Sequence, residues 1–178
     1  EEVAFTIELT TPACPVKDRL KAEAEAAVKK LGWVKNVQIE MTANVRSASP
    51  EQSDLRIKNI IAVASGKGGV GKSTVATNLA FALQRAGAKV GLMDADIYGP
   101  SVPHMLGIQA KRPLTQTVNG RNQIVPIEHE GLKVMSMGFL VDVEKPVIWR
   151  GPMVHGAVLQ FLNEVLWGDL DYLVIDLP

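Results

Sequence analysis

The chain opens on alternation. Val3, Phe5, Ile7 and Leu9 are separated by Ala4, Thr6 and Glu8, a period of two that predicts a half-buried strand. Thr10–Pro15, TTPACP, ends it as a loop, because Pro12 and Pro15 fit neither a ladder nor a helix interior. From about Asp18 to Leu31 the period becomes helical, with Leu20, Ala24, Ala27, Val28 and Leu31 on one face and Gly32 placed as a C-cap. Val37, Ile39 and Met41 alternate again as a second strand. Asn44–Lys58 is polar, carries Pro50 and both charge signs, and reads as a connection between domains. The pattern divides the chain into a small α+β domain over 1–45, a linker over 46–54 and a larger domain over 55–178.

In the larger domain the apolar run Ile60–Ala64 predicts a buried strand, followed by a glycine-rich turn. The next helix places Val75, Leu79, Ala82, Leu83 and Ala86 on its buried face and ends at Gly87. Lys89–Met93 is the following strand. Val102–Leu106 reads as a helical turn, and Leu114–Val118 and Gln123–Ile127 flank Asn119-Gly120, a hairpin signal. Leu132–Met137 alternates as a strand whose Met135 and Met137 belong in the core. A helix with Pro152 near its first turn runs to about Trp167, and Leu170–Leu177 is a buried parallel strand ending in an acid. Strands that alternate with helices in this way predict an α/β fold with a mainly parallel sheet.

Composition narrows the classes. The 178 residues can hold a small domain and a larger one, and at 47% hydrophobic and 21% charged they suit a globular chain that buries about 70% of its unfolded surface. Nineteen cationic residues balance 19 acidic ones, which gives no support for a nucleic-acid-binding surface. No apolar run approaches the roughly 18 residues of a membrane span, and no signal peptide is visible. The single cysteine, Cys14, excludes an internal disulfide and suits a reducing compartment. His104, His129 and His155 lack metal-ligand spacing and read as structural or surface residues.

The chemistry concentrates after the first strand of the larger domain. Gly66–Ser73 fits G-x-x-x-x-G-K-[ST] with a strand before it and a helix after it, the context in which a phosphate-binding loop is expected. Gly66, Lys67, Gly68, Gly69, Val70, Gly71, Lys72, Ser73 and Thr74 form the candidate cradle for ATP. Glycines let backbone N–H groups converge, and the helix N-terminus adds partial positive charge at the same point. Lys72 is expected to reach the β- and γ-phosphates, and the Ser73 hydroxyl to ligate Mg²⁺. Asp94 and Asp96 follow a strand whose C-terminal end should face this loop, where two carboxylates could serve a Mg²⁺ shell and an attacking water. Asp176 ends the last apolar strand in the Walker B manner and is expected to help hold the Mg²⁺ water shell.

Lys67-Gly-Gly-Val-Gly-Lys72 resembles the deviant Walker A motif of the MinD/ParA/nitrogenase-iron-protein class of ATPases. The resemblance implies a homodimer in which Lys67 crosses to the partner's nucleotide and neutralises transition-state charge, as an arginine finger does. Asp94-Ala-Asp-Ile-Tyr-Gly-Pro-Ser101 and Trp149-Arg-Gly-Pro-Met153 resemble the Mrp/ApbC family, and TTPACPVKD resembles the iron–sulfur assembly domain that precedes the ATPase in that family. By position in the class, Asp94 would contact the hydrated Mg²⁺ and Asp96 would orient the attacking water, so that Lys67, Lys72 and Asp96 are the implied catalytic residues. Cys14 is either a thiol that handles clusters, as the resemblance implies, or a packed loop thiol. Arg150 either assists phosphates or the dimer contact, or forms a surface ion pair.

The resemblance implies a P-loop ATPase that carries an iron–sulfur cluster, of the 4Fe–4S type, to apoprotein clients. The cluster would be held by cysteines absent from this chain, in the cytoplasm or alternatively in a chloroplast stroma or mitochondrial matrix. It also implies that this stretch is part of a longer protein at both ends. On that reading the sheet is incomplete, the last strand is expected to lack later neighbours, and residues 1–178 alone are expected to aggregate or be partly disordered. A ParA/MinD-like positioning ATPase acting on DNA or membrane is the alternative. A nucleotide-dependent scaffold with negligible turnover is a third reading.

Overall fold

The computed structural model describes residues 2–45, 56–97, 99–118, 120–140 and 151–178, with the backbone alone for 151–155. Most of the polar linker, Trp149 and Arg150 lie outside the described residues.

The first unit is β1 (Glu2–Leu9), α1 (Lys17–Lys29) and β2 (Asn36–Ala43). The two strands pair in parallel from Glu2↔Asn36 to Leu9↔Ala43, and the helix makes the crossover that parallel strands require. Val3, Phe5, Ile7 and Leu9 lie half-buried on one face of β1, as the alternation predicts. The apolar stripe of α1 is less covered than expected. Ala24 and Val28 are half-buried, but Leu20 is 37% and Leu31 46% exposed, since a two-stranded sheet is too narrow to cover a whole helix face. Lys30, not Gly32, caps the helix, and Leu31 N–H closes the turn on Val28 O at 3.1 Å.

The second unit contains β3 (Ile57–Val63), α2 (Lys72–Arg85), β4 (Val90–Asp94), α3 (Val102–Met105), β5 (Leu114–Val118), β6 (Arg121–Val125), β7 (Ile127–His129), β8 (Leu132–Ser136), α4 (Gly151–Glu164) and β9 (Leu170–Asp176). Its sheet has the order β3-β9-β4-β8-β7, parallel except for β7. Hairpin β5–β6 forms, with Val118 paired to Arg121 and its second strand at Arg121–Val125 rather than Gln123–Ile127, although Asn119 lies outside the described residues. The core is built on β4, β8 and β9, where Leu92, Met93, Val134, Met135, Leu173 and Val174 are fully buried together with Met137 and Phe161.

The structure corrects three expectations. β9 inserts between β3 and β4, so among the described residues the edges of the sheet are β3 and β7, and Ile60 at the middle of β3 is 45% exposed rather than buried. On α2 the buried face is Ala76, Thr77 and Ala80, while Val75 is 57% exposed. Ala76 and Ala80, one turn apart, share the face that packs on the sheet, and Val75 lies outside it. Finally, α4 stops at Glu164 and the buried Trp167 follows as loop, its Nε1–H donating to Phe161 O at 2.9 Å.

The two units touch where the loop after β1 meets the larger sheet. Thr11 Oγ1 and Tyr172 OH lie 3.3 Å apart, and Pro12 sits beside Gly87 at the end of α2.

Candidate functional site

The strand register brings the functional side chains together. Val63 pairs with Asp176, Asp176 with Asp94, and Asp94 with Ser136, so one row at the carboxyl ends of β3, β9, β4 and β8 ends in two acids and a hydroxyl. Residues that precede α2 wrap across this row. Gly69 and Gly71 take φ values of +73° and +90°, left-handed conformations that side chains with a Cβ rarely adopt. The loop is closed from within by Ser65, whose hydroxyl donates to Lys67 O at 2.5 Å and accepts from Lys67 N–H at 3.3 Å.

Helix α2 starts with Gly71 as N-cap, no side-chain cap and no acid in its first turn. Its first N–H groups therefore have no side-chain cap among the described residues, which favours an anion there. The loop and helix start surround a cavity of about 510 Å³, lined also by Asp96, Gly99, Ser101 and Met105. All of the candidate cradle lines it except Val70, which points away and is 56% exposed.

Lys72 is the hub of the site. Its Nζ lies 2.7 Å from Asp176 Oδ1 and 3.8 Å from Asp96 Oδ2. Asp176 is fully buried, and its other oxygen, Oδ2, has no hydrogen-bond partner among the described residues. A buried acceptor without a donor is costly unless something outside the chain satisfies it. Ser73 lines the cavity, whereas Asp176 lies beneath it, beyond Lys72; the oxygens these two residues offer are hard donors, the ligand type that suits Mg²⁺. Among the described residues no group of three or more His, Cys, Asp or Glu is placed to hold a metal, so the protein would supply only part of such an ion's shell.

Asp94 stands behind the cavity rather than in it. It is fully buried; Oδ1 accepts from Asp96 N–H at 3.1 Å, and Oδ2 accepts from Val102 N–H at 3.2 Å and from the Ser136 hydroxyl at 3.0 Å. Burial pushes its carboxyl up to about 6, against the pull of those three hydrogen bonds. Asp96, two residues on, faces the cavity, and its Oδ1 accepts from Gly99 N–H at 3.2 Å. Sequence reasoning singled out both acids but not Ser136 or the Val102 amide. The only signal for Ser136 is its place at the end of a strand, and that points to Asp94 only once β4 and β8 are known to be neighbours.

Lys67 lies exposed on the cavity rim, and among the described residues it makes no ion pair. Cys14 is half-buried in the loop after β1, two residues beyond Pro12, which sits beside Gly87 at the end of α2 farthest from the cavity. Arg150 lies outside the described residues.

Comparison with known proteins agrees with this geometry. The profile of the NUBPL iron-transfer P-loop NTPase family matches residues 56–178, and that of an iron–sulfur cluster assembly protein family matches residues 1–41. The chain is 50% identical to the iron–sulfur cluster carrier protein of Synechocystis sp. over 179 residues, 99% of this chain and 51% of that protein. It is 48% identical to the chloroplastic Fe-S cluster assembly factor of Arabidopsis thaliana, over 99% of this chain and 33% of that protein. It thus spans about half or less of the curated relatives' length. A solved nucleotide-binding protein of Archaeoglobus fulgidus, in complex with ADP, is similar with a TM-score of 0.57 at 42% identity, over 69% of this chain and 45% of that one. With its mostly parallel sheet, its glycine loop between β3 and α2, and a family match over residues 56–178, the chain belongs to the NUBPL iron-transfer P-loop NTPases.

Proposed function

We propose that this chain is the nucleotide-binding part of a Mg²⁺-dependent ATPase that carries an iron–sulfur cluster to apoproteins. The observation that carries the reading is Lys72, held 2.7 Å from Asp176 and 3.8 Å from Asp96 at the mouth of a glycine loop that caps a helix N-terminus. The names of the relatives support the cargo. The cluster, of the 4Fe–4S type, is the substrate that is passed on, and its ligands are cysteines other than Cys14. Residues 1–45 act as an assembly-type domain joined by a linker over 46–54 to the ATPase domain over 55–178.

In this reading the triphosphate lies along the loop from Gly66 to Thr74, its charge met by the α2 amides and by Lys72. Mg²⁺ would be held by the Ser73 hydroxyl and, through water, by Asp176 Oδ2, and when bound it supplies charge neutralisation across the β- and γ-phosphates. Asp96 orients a water whose oxygen attacks the γ-phosphorus in line, while the bond to the bridging oxygen breaks and ADP, phosphate and a proton are released. Asp94, with both oxygens engaged by the loop, anchors Asp96 from behind. Lys67 extends from the rim towards the nucleotide of a second protomer, which makes the working unit a homodimer. A soluble compartment, cytoplasmic or organellar, suits this activity.

The test is the full-length protein, reconstituted anaerobically and followed by iron content, visible absorption and transfer to an apo-acceptor, with ATP hydrolysis measured in parallel. A cluster that is lost when cysteines outside residues 1–178 are changed, together with hydrolysis lost in Lys72→Ala and Asp96→Ala, is the expected result. Hydrolysis without any cluster would move the reading to a positioning ATPase, and DNA and membrane binding would be measured next.

A further inference from the structure

The loop that carries Asp96 is held by residues from a strand distant in the chain. Ser136 is fully buried at the end of β8, and its hydroxyl donates to Asp94 Oδ2 at 3.0 Å while accepting from the Gly138 amide at 3.0 Å. Asp94 in turn receives the Asp96 and Val102 amides, the start and end of the loop. Gly138, in the 3₁₀ turn Met137–Phe139, packs under the same loop. A Cβ built on it would stand 3.0 Å from Pro100 Cβ and 3.3 Å from Ser136 Oγ, a tight fit that Pro100 could admit only by giving a few tenths of an ångström. The loop is therefore fastened at both ends by Asp94 and supported near its end by Pro100 on Gly138.

From this arrangement we infer that Ser136 and Gly138 are positioning residues for nucleotide hydrolysis. They form a seat on β8 that fixes the Asp94–Val102 loop and so sets where the Asp96 carboxylate stands in the cavity. Neither residue touches the cavity, so neither contributes to nucleotide binding directly. Ser136 acts by orienting Asp94: without its hydroxyl, Asp94 keeps only the two loop amides, Asp96 N–H on Oδ1 at 3.1 Å and Val102 N–H on Oδ2 at 3.2 Å, and loses its one side-chain tie to β8. Gly138 acts by leaving room for Pro100. The geometry needed for in-line attack tolerates little drift, since a misplacement of about 1 Å costs on the order of 10²-fold in rate.

The inference rests on the ATPase reading, and the experiment separates the two. Full-length wild type, Asp96→Ala, Ser136→Ala, Ser136→Cys, Ser136→Thr and Gly138→Ala are compared for kcat and KM for ATP and for amide exchange at Asp96 and Val102. Ser136→Ala and Gly138→Ala should lower kcat about 10-fold or more while KM stays within about threefold. In Ser136→Ala the Asp96 and Val102 amides should exchange about 10-fold faster. Ser136→Thr, which keeps the hydroxyl, should restore most of the rate, and Ser136→Cys, which keeps the shape with a weak donor, should fall between. Wild-type kcat and exchange in Ser136→Ala would overturn the inference. If Ser136→Ala does not fold, Ser136→Cys and Gly138→Ala decide it by the same criteria. A wild type that does not turn over ATP would overturn the ATPase reading and the role with it, while the exchange rates would still report whether the seat holds the loop.

Discussion

Lys72 Nζ and Asp176 Oδ1 meet at 2.7 Å, joining the first residue of α2 to the last residue of β9 across 104 positions of sequence. The lysine is 13% exposed and the acid is fully buried. Such a pair is weak evidence for stability as it stands, but breaking it from one side leaves a charge buried alone. Lys72→Met should therefore destabilise the protein by about 3 kcal/mol, and Lys72→Met with Asp176→Asn should recover most of that loss. Chemical denaturation of the four proteins of this cycle measures it. A double variant no more stable than Lys72→Met would mean that the pair is not coupled.

The backbone of the loop makes a separate prediction. Gly71 has a φ of +90°, whereas Gly66 lies outside the positive-φ set and a Cβ there would meet nothing within 4 Å. Gly71→Ala should cost about 1–2 kcal/mol in stability, and Gly66→Ala close to nothing in the nucleotide-free protein. Gly71→Ala should also weaken nucleotide binding, because the amides of α2 would be turned from their common focus. Thermal melts and a nucleotide titration of both variants test the contrast, and equal stability losses would refute it.

What the sequence made legible was local. The glycine loop, the Asn-Gly hairpin and the alternating first strand are each written in fewer than about ten consecutive residues, and each lies where its pattern places it, save that the hairpin's second strand begins at Arg121 rather than Gln123. What escaped was non-local. The run Ile60–Ala64 has the composition of a buried parallel strand, but whether a strand lies on both sides is decided by residues more than 100 positions away. Ser136 carries no motif, and its meaning appears only through its pairing with Asp94. On α2 the most hydrophobic stripe is not the most buried one: Ala76, Thr77 and Ala80 are buried, Leu79 and Leu83 are partly covered, and Val75 is exposed.

Asp94 gives a pH dependence with a definite sign. Its folded-state carboxyl is raised from 3.8 to about 6, chiefly by burial. The folded protein thus holds a proton between those values that the unfolded chain has released. The stability carried by protonated Asp94 is full below about pH 4 and is lost as pH rises through 6. Each tenfold difference in proton affinity between the folded and unfolded chain is worth about 1.4 kcal/mol, so the loss approaches roughly 3 kcal/mol by pH 7. Other groups titrate over the same range, so the informative quantity is the difference between Asp94→Asn and wild type. Asparagine cannot ionise, and the variant should gain on wild type by about 2–3 kcal/mol between pH 4 and pH 7. A difference that stays flat over this range would show that Asp94 titrates at an ordinary value.

The edge of the sheet makes the last prediction. Among the described residues β3 pairs only with β9, and Ile60 on it is 45% exposed. An edge strand that carries an exposed apolar side chain is a template for association with another chain. If residues 1–178 aggregate when made alone, β3 rather than β9 is the surface responsible. Ile60→Lys places a charge on that edge and should suppress light scattering on concentration or warming. Because Ile60 is only partly covered, the cost to stability should stay below about 1 kcal/mol. The corresponding change on β9, Val174→Lys, buries a charge in the core and should unfold the chain instead. Scattering unchanged by Ile60→Lys would locate the association elsewhere, and a monomeric wild-type fragment with a sharp, reversible thermal transition would remove the premise.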